Sequence, residues 1–381
     1  MFSSRKLERA TYDSVAFRFI AANDHPDHDT IAAFRRRFLP RIEALFVQVL
    51  LLARELGLLQ PGTVALDGTK VQANASRHSA LSHEHAGKIE AQLKAEVAEL
   101  MAKAEAADQA DSPDGMSIPG ELARREDRLR RLAEARAKIE ARARERFGRE
   151  QAEYAAKLAA REAKAAITGR KPGGRAPEPP IETPRPADQS NLTDEESRIM
   201  PVAGGGFEQC YNAQAVVTAG SLLVLATDVV QAPNDKQQPT PMLGKPAGLP
   251  AALGRPDTLL ADSGYFSAAK GTGCQAAGLG PLIAPGREEH CPTLAERFAA
   301  PPPPPDHPTP VGAMAHRPRA PEGRALHALR KHTPEPVFGI IKAVLGVRRF
   351  PLRGLDAVRG GWRLVTLAWN LQRMFALTRA A

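Results

Sequence analysis

Cysteine is scarce in this sequence, and its scarcity excludes two kinds of architecture. The 381 residues contain three cysteines, Cys210, Cys274 and Cys291, which lie far apart and form no Cys-x-x-Cys pair. This pattern argues against a disulfide framework and against a zinc ribbon, and it is typical of proteins from a reducing compartment.

Long apolar runs are also missing. A membrane-spanning helix needs about 20 consecutive apolar residues, and no stretch of the sequence approaches that length. Residues 1–14, MFSSRKLERATYDS, lack the apolar core of a signal peptide. The sequence therefore predicts a cytoplasmic protein without a membrane partner.

Positive charge is in excess. The formal net charge is +9 and the isoelectric point is about 9.6. Such a balance favours an anionic partner, of which nucleic acid is the commonest, although a merely soluble basic protein gives the same numbers. The length allows one large domain or two smaller ones, each with its own core.

Two short apolar runs each end on a single acid. In TLLADSGYFS the run Leu259–Ala261 is followed by Asp262, and in TVALDGTKVQ the run Thr63–Leu66 is followed by Asp67. Short apolar runs bounded by turn residues are typical of buried strands. One such acid could belong to a solvated turn. Two acids that converge from strand ends repel each other and favour a hard divalent cation, Mg²⁺ or Mn²⁺, between them.

The remaining pattern predicts an α/β fold with an insertion. Residues 1–60 read as a helical N-terminal region, in which Thr30 is a candidate N-cap. Residues 61–78 hold the first strand, and residues 207–381 hold further strands and basic C-terminal helices. Between them, residues 79–206 read as a charged helical hairpin followed by a Pro/Gly-rich linker over 169–190.

A third acid stands in the C-terminal region. Glu335 lies where a helix should begin, and Lys342 follows two helical turns later on the same face. Cations surround the pair in the sequence: Arg330, Arg348, Arg349 and Arg353. One acid among many cations makes sense if the acid binds a metal ion and the cations bind phosphates.

These pieces together resemble the DDE transposases of bacterial insertion sequences. The matching segments, in order, are PDHDTIAAFRRRF, LDGTKVQANAS, NLTDEESRIM, YNAQAVV, LLADSGYFS and RKHTPEPVFGIIKAVLGVRRFPLRGL. Single segments are weak, whereas the ordered set is specific. The resemblance implies an RNase H-like mixed sheet flanked by helices. The chain departs from the family pattern at His327, where related transposases have a tyrosine.

The resemblance also implies a set of site residues and ligands. Asp67, Asp262 and Glu335 correspond to the catalytic, metal-binding acids, with two Mg²⁺ ions and Mn²⁺ as their substitute. Arg330 and Lys342 match the family's basic positions and are expected to bind DNA phosphates, together with Arg348, Arg349 and Arg353. Tyr265 is a candidate for stacking on an unpaired base, with a core aromatic as the alternative.

The expected activity is DNA transposition. Such an enzyme cleaves phosphodiesters at the terminal inverted repeats of its element and joins the freed 3′-OH to target DNA, as a homodimer on DNA. The chain starts abruptly compared with the family, which leads us to expect an N-terminally truncated copy. Two alternatives remain: an inactive DNA-binding remnant, and an RNase H-like nuclease without strand transfer.

Overall fold

The computed structural model divides the chain into two compact units. It describes residues 3–110, 118–170, 173–234, 242, 244–246, 248–262, 278–283, 312 and 316–379. One unit, here called the sheet unit, comprises Met1–Asn74 and Ile199–Ala381, and the other, the hairpin unit, comprises Ala75–Arg198. Among the described residues, no helix combines the length and the apolar character that a membrane span requires.

The N-terminal region of the sheet unit is helical, as the apolar spacing predicts. Its helices are α1 (Ser4–Asp13), α2 (Val15–Ile20), α3 (His28–Phe38) and α4 (Ile42–Glu55). The N-cap of α3 is Asp27, whose carboxylate accepts a hydrogen bond from the Thr30 amide. The prediction of Thr30 as the cap was therefore wrong: Thr30 lies inside the first turn, and its hydroxyl also donates to Asp27.

The first strand, β1 (Thr63–Gln72), leads from the sheet unit into the hairpin unit. There the elements are β2 (Ala80–Ser82), α5 (His83–Ala110), α6 (Ile118–Thr168) and β3 (Gln189–Asn191). Buried Leu81, Leu93 and Leu132 share one apolar cluster, against which Leu129 packs. This packing arises from the apolar spacing along the two long helices.

The end of the expected linker is structured, contrary to the prediction. Gln189–Asn191 pairs antiparallel with β2, and the preceding Asp188 accepts hydrogen bonds from Arg146 at 2.7 and 2.8 Å. Composition suggested a linker because Pro and Gly dominate residues 171–187. The strand forms because a paired edge and a charged anchor lie next to it.

The rest of the chain returns to the sheet unit. Its strands are β4 (Arg198–Pro201), β5 (Phe207–Thr218), β6 (Val224–Val230), β7 (Thr258–Ala261) and β8 (Gly280–Ile283). The C-terminal helices are α7 (Pro321–Ala328), α8 (Pro334–Ala343) and α9 (Leu355–Thr378).

The sheet is mixed, which confirms the predicted α/β class. In the order β4-β5-β1-β7-β8, β5 runs antiparallel to β1, whereas β7 runs parallel to β1 and β8 parallel to β7. β6 also pairs with β5, in the antiparallel sense. A sheet with this parallel side needs crossover connections, which bring helices onto its faces.

Helix α9 covers the edge strand β6. Asn370 is buried, accepts a hydrogen bond from the Val224 amide at 2.8 Å and donates one to the Val224 carbonyl at 2.9 Å. Trp369 donates to the Leu222 carbonyl. These side chains satisfy backbone groups that an open sheet edge would leave unpaired.

Candidate functional site

Asp67 and Asp262 lie side by side. The prediction that the first strand ends at Asp67 was wrong: β1 continues through Asp67 to Gln72 because these residues also pair with β5, whereas Asp262 directly follows the last residue of β7. Leu66 of β1 is opposite Ala261 of β7 in the parallel ladder, so the next residues, Asp67 and Asp262, occupy the same level of neighbouring strands. Adjacent strands lie about 4.8 Å apart. Asp67 is half-buried and Asp262 is exposed, whereas the residues before them, Leu66 and Ala261, are buried. The pair is therefore accessible to solvent.

Both acids belong to the same face of the sheet. Ala65, Leu260 and Leu282 form a buried cluster, and Leu326 of α7 packs against it. Side chains two residues apart in a strand point to the same face. Asp67 therefore shares the face of Ala65, and Asp262, directly after its strand, shares that of Leu260. The acids continue the apolar face that helix α7 covers.

The carboxylate of Asp67 is held by its own backbone. Its Oδ1 accepts a hydrogen bond from the Gly68 amide at 2.8 Å. Gly68, which lies within β1 and not in the predicted turn, thus helps to orient the acid.

Glu335 lies in the first turn of α8, where the sequence predicts a helix start. Pro334 occupies the first helical position, and Glu335 is exposed. A carboxylate in the first turn interacts favourably with the helix dipole. The opposite side of α8 is buried through Val337, Phe338 and Ile341.

The described residues do not bring the three acids into one metal-binding cluster. In the part of the chain that the structure describes, no group of three His, Cys, Asp or Glu side chains is arranged to hold a metal ion. The structure thus brings Asp67 and Asp262 together by register and leaves the contribution of Glu335 as a prediction.

Lys342 connects α8 to the acid-bearing strand. Its ammonium donates hydrogen bonds to Thr69 Oγ1 at 2.5 Å and to the Lys70 carbonyl at 2.8 Å. Thr69 is two residues beyond Asp67 and therefore on the same face. Burial lowers the pKa of Lys342, since desolvation disfavours its charged form. The sequence analysis assigned Lys342 to phosphate and missed its contact with Thr69, because the two residues lie far apart in the chain.

The three C-terminal arginines lie beside the end of β1. Arg348, Arg349 and Arg353 are exposed. The Phe350 amide donates to the Gln72 carbonyl, and the Gln72 amide donates to the Arg348 carbonyl. These backbone bonds hold the segment against the strand.

Their side chains also have protein partners. Arg349 donates to the side-chain oxygen of Gln72 at 3.2 Å, and Arg353 donates to the Asn74 carbonyl at 3.1 Å. Arg348 reaches the Lys342 carbonyl only at 3.4 Å. Each guanidinium has five donors, so most of the donors of these arginines stay available for an anionic ligand.

The other two predicted DNA-binding residues differ from these. Arg330 is half-buried in the turn between α7 and α8, and its Nε is buried without a hydrogen-bond partner among the described residues. Tyr265 lies outside the described residues, so its predicted stacking role stays a prediction.

A family model matches the C-terminal part of the chain. Residues 309–375 match a family described as a transposase DDE domain, and this confirms the resemblance to DDE transposases of insertion sequences. The matched range includes Glu335, Lys342 and the C-terminal arginines, whereas Asp67 and Asp262 precede it. Neither the search of curated proteins nor that of solved structures gives a match.

Proposed function

We propose that this relative of the DDE transposases is the DNA transposase of an insertion sequence. It would cleave phosphodiesters at the ends of its element and join the freed 3′-OH to target DNA. The observation that carries the proposal is the parallel register that sets Asp67 beside Asp262 on one sheet face. The transposase match over residues 309–375 supplies the reaction class.

The strand arrangement supports an RNase H-like catalytic domain. Strand β5 runs antiparallel to both β6 and β1, whereas β1, β7 and β8 are parallel. We propose that the sheet unit is this domain and that the hairpin unit is an insertion after β1. The insertion point supports this division, because the hairpin unit starts three residues after β1 ends, at Ala75.

The acid pair fits a divalent cation by its donor chemistry. Carboxylate oxygens are the ligands that Mg²⁺ and Mn²⁺ prefer, and two of them stand at one level of the sheet. We propose that Asp67 and Asp262 hold the ion and that Glu335 contributes from the first turn of α8. A bound Mg²⁺ would stabilise negative charge on the phosphoryl oxygens and lower the pKa of a bound water.

The protein's own groups would hold the DNA next to the acids. Arg348, Arg349 and Arg353 are exposed and follow α8 directly. Their guanidinium groups suit phosphate oxygens, which they can bind in a bidentate manner. Lys342, which contacts β1, would position α8 and therefore Glu335 relative to Asp67.

Cleavage of the natural DNA flanks tests the proposal. A DNA fragment that carries both flanks of the gene is incubated with Mg²⁺, with and without a target plasmid. We expect strand breaks at the element ends, joined products only when the plasmid is present, and loss of both in Asp67→Asn, Asp262→Asn and Glu335→Gln.

The matched control is Asp257→Asn. Asp257 is exposed and directly precedes the first residue of β7, at the other end of the strand from Asp262. This variant should cleave like the wild type. Cleavage that survives Asp67→Asn or Asp262→Asn would contradict the acid pair as the site. Cleavage without joined products would reduce the function to that of a nuclease.

A further inference from the structure

The hairpin unit contains a cleft that the acid site does not use. Its volume is about 520 Å³, within the range of about 300–1,000 Å³ that is typical of ligand sites. Its walls come from β2 and the turn before it, from one face each of α5 and α6, and from Leu192 after β3. The cleft therefore lies wholly within one unit.

The floor of the cleft is apolar. Leu81 and Leu132 are buried members of the hairpin unit's core cluster, and Ile89 packs against that cluster. Leu192, at the mouth, is 50% exposed. A flat apolar or aromatic group could therefore replace water over this floor at little cost.

The rim of the cleft carries cations and imidazoles. Arg128 and Arg131 come from α6, His78 from the turn before β2, and His85 from α5; all four are exposed. The carboxylate among the lining residues is Asp127, which forms ion pairs with Arg130 and Arg131. The net charge of the rim therefore favours an anion.

Other arginines, not those of the rim, hold the hairpin unit together. Arg125 bonds Glu96 across the two helices at 2.9 Å, and Arg136 bonds Glu90 in the same way. Within the described part of the chain, Arg128 forms no ion pair or hydrogen bond. Glu96 attracts Arg128 electrostatically from a longer distance, but its carboxylate already forms an ion pair with Arg125. The scaffold is thus complete without Arg128.

We propose that this cleft binds one nucleotide of an unpaired DNA strand. The phosphate would lie at Arg128 and Arg131, and the base would stack on His78 or His85 above the leucine floor. Histidine rings accept stacked bases, apolar side chains can line a pocket for an unpaired base, and arginine binds phosphate. A paired base would not enter a concave cleft, so the site selects single strands. The choice of DNA as ligand rests on the proposed function.

Oligonucleotide binding by the full chain tests the proposal. Fluorescence anisotropy is measured in EDTA, so that failure of the metal site cannot affect the result. The probes are a short labelled oligothymidylate and a duplex of the same length. We expect the double variant His78→Ala/His85→Ala to bind oligothymidylate at least about fivefold more weakly, from the loss of one stacked base. Duplex binding should change less than twofold.

The salt dependence tests the phosphate contact. Arg128→Ala should lower the slope of log affinity against log salt for the oligothymidylate by about 0.7, the value for one phosphate on a single strand. The matched control is Arg124→Ala, an exposed arginine of α6 that pairs with Glu121 outside the cleft. Thermal melting by circular dichroism checks that each variant keeps its helices.

Two results would overturn the proposal. Equal changes in Arg128→Ala and Arg124→Ala would mean that only the general charge of the helix matters. Equal losses for single strand and duplex in the histidine variant would mean that no nucleotide enters the cleft. Either result could occur while the enzyme still cleaves DNA, so the proposed function is tested separately.

Discussion

Replacing Lys342 with methionine would remove the ammonium that joins α8 to β1 and keep most of the side-chain length. The ammonium donates to Thr69 at 2.5 Å and to the Lys70 carbonyl at 2.8 Å. Hydrogen bonds to charged groups contribute about 1.5–3 kcal/mol each to stability. Burial of the ammonium opposes this gain, as its lowered pKa indicates.

A double-mutant cycle separates the two effects. The substitution Lys342→Met is made in the wild type and in the Thr69→Val background, so the desolvation change at Lys342 occurs in both steps and cancels in the cycle. We expect a coupling free energy of about 1.5–3 kcal/mol, the contribution of one charge-assisted hydrogen bond. The Lys342→Met variant alone should show a smaller net loss.

Tryptophan fluorescence during urea unfolding is a suitable assay. The chain contains two tryptophans, Trp362 and Trp369, and both lie on α9 in the sheet unit. Their signal therefore reports the unit that contains Lys342. Lys331→Met, at an exposed lysine in the turn before α8, is the matched control and should leave the midpoint unchanged.

A coupling near zero would refute this reasoning. If Lys342→Met also reduced the salt slope of duplex binding by about one unit while stability stayed unchanged, Lys342 would be a phosphate ligand. The prediction from the sequence that Lys342 binds phosphate would then be right, and the hydrogen bonds of Lys342 to β1 would not contribute to stability.

Three further outcomes follow from the same structure. Asn370→Ala should destabilise the sheet unit by about 2–6 kcal/mol in the same urea assay, because the buried amide and carbonyl of Val224 lose their hydrogen-bond partner. Gln372→Ala, at an exposed position of the same helix, should leave the stability unchanged. An equal loss of stability in both variants would contradict this prediction. Burial raises the pKa of the Cys210 thiol to about 11, so a thiol reagent at pH 8 should modify it slowly in the native chain and rapidly in denaturant. The measurement uses a variant in which the other two cysteines are replaced by serine. Similar rates in both conditions would show that the native thiol is accessible. The double variant Arg348→Ala/Arg349→Ala should lower the salt slope of duplex binding by about two units at most, and an unaltered slope would exclude these arginines as phosphate ligands.

Much of the sheet could be predicted because burial acts locally on its strands. The short, mostly apolar runs Thr63–Leu66 and Thr258–Ala261 both form strands, although β1 continues past the predicted turn at Asp67 and Gly68 to Gln72. The cap of α3 was less predictable: Asp27 and Thr30 both offer an oxygen near the helix start, and the path of the entering chain decides between them.

The site was only partly predictable, since it depends on contacts between distant segments. The sequence shows that Asp67 and Asp262 each follow a short apolar run, but only strand pairing shows that the two runs are parallel neighbours in register. The hydrogen bond between Lys342 and Thr69 joins residues 273 positions apart, and spacing along the chain carries no signal for it. The composition of the Pro/Gly-rich segment likewise gave no indication of β3, because this strand is stabilised by pairing with β2 and by the hydrogen bond between Arg146 and Asp188.

The central claim is that Asp67 and Asp262 share a divalent metal ion. Titration of the full chain with Mn²⁺, followed by electron paramagnetic resonance, tests this claim without relying on activity. We predict that the wild type and Asp257→Asn bind Mn²⁺ alike, and that Asp67→Asn and Asp262→Asn each lose that binding. Equal Mn²⁺ binding by all four proteins would contradict the account.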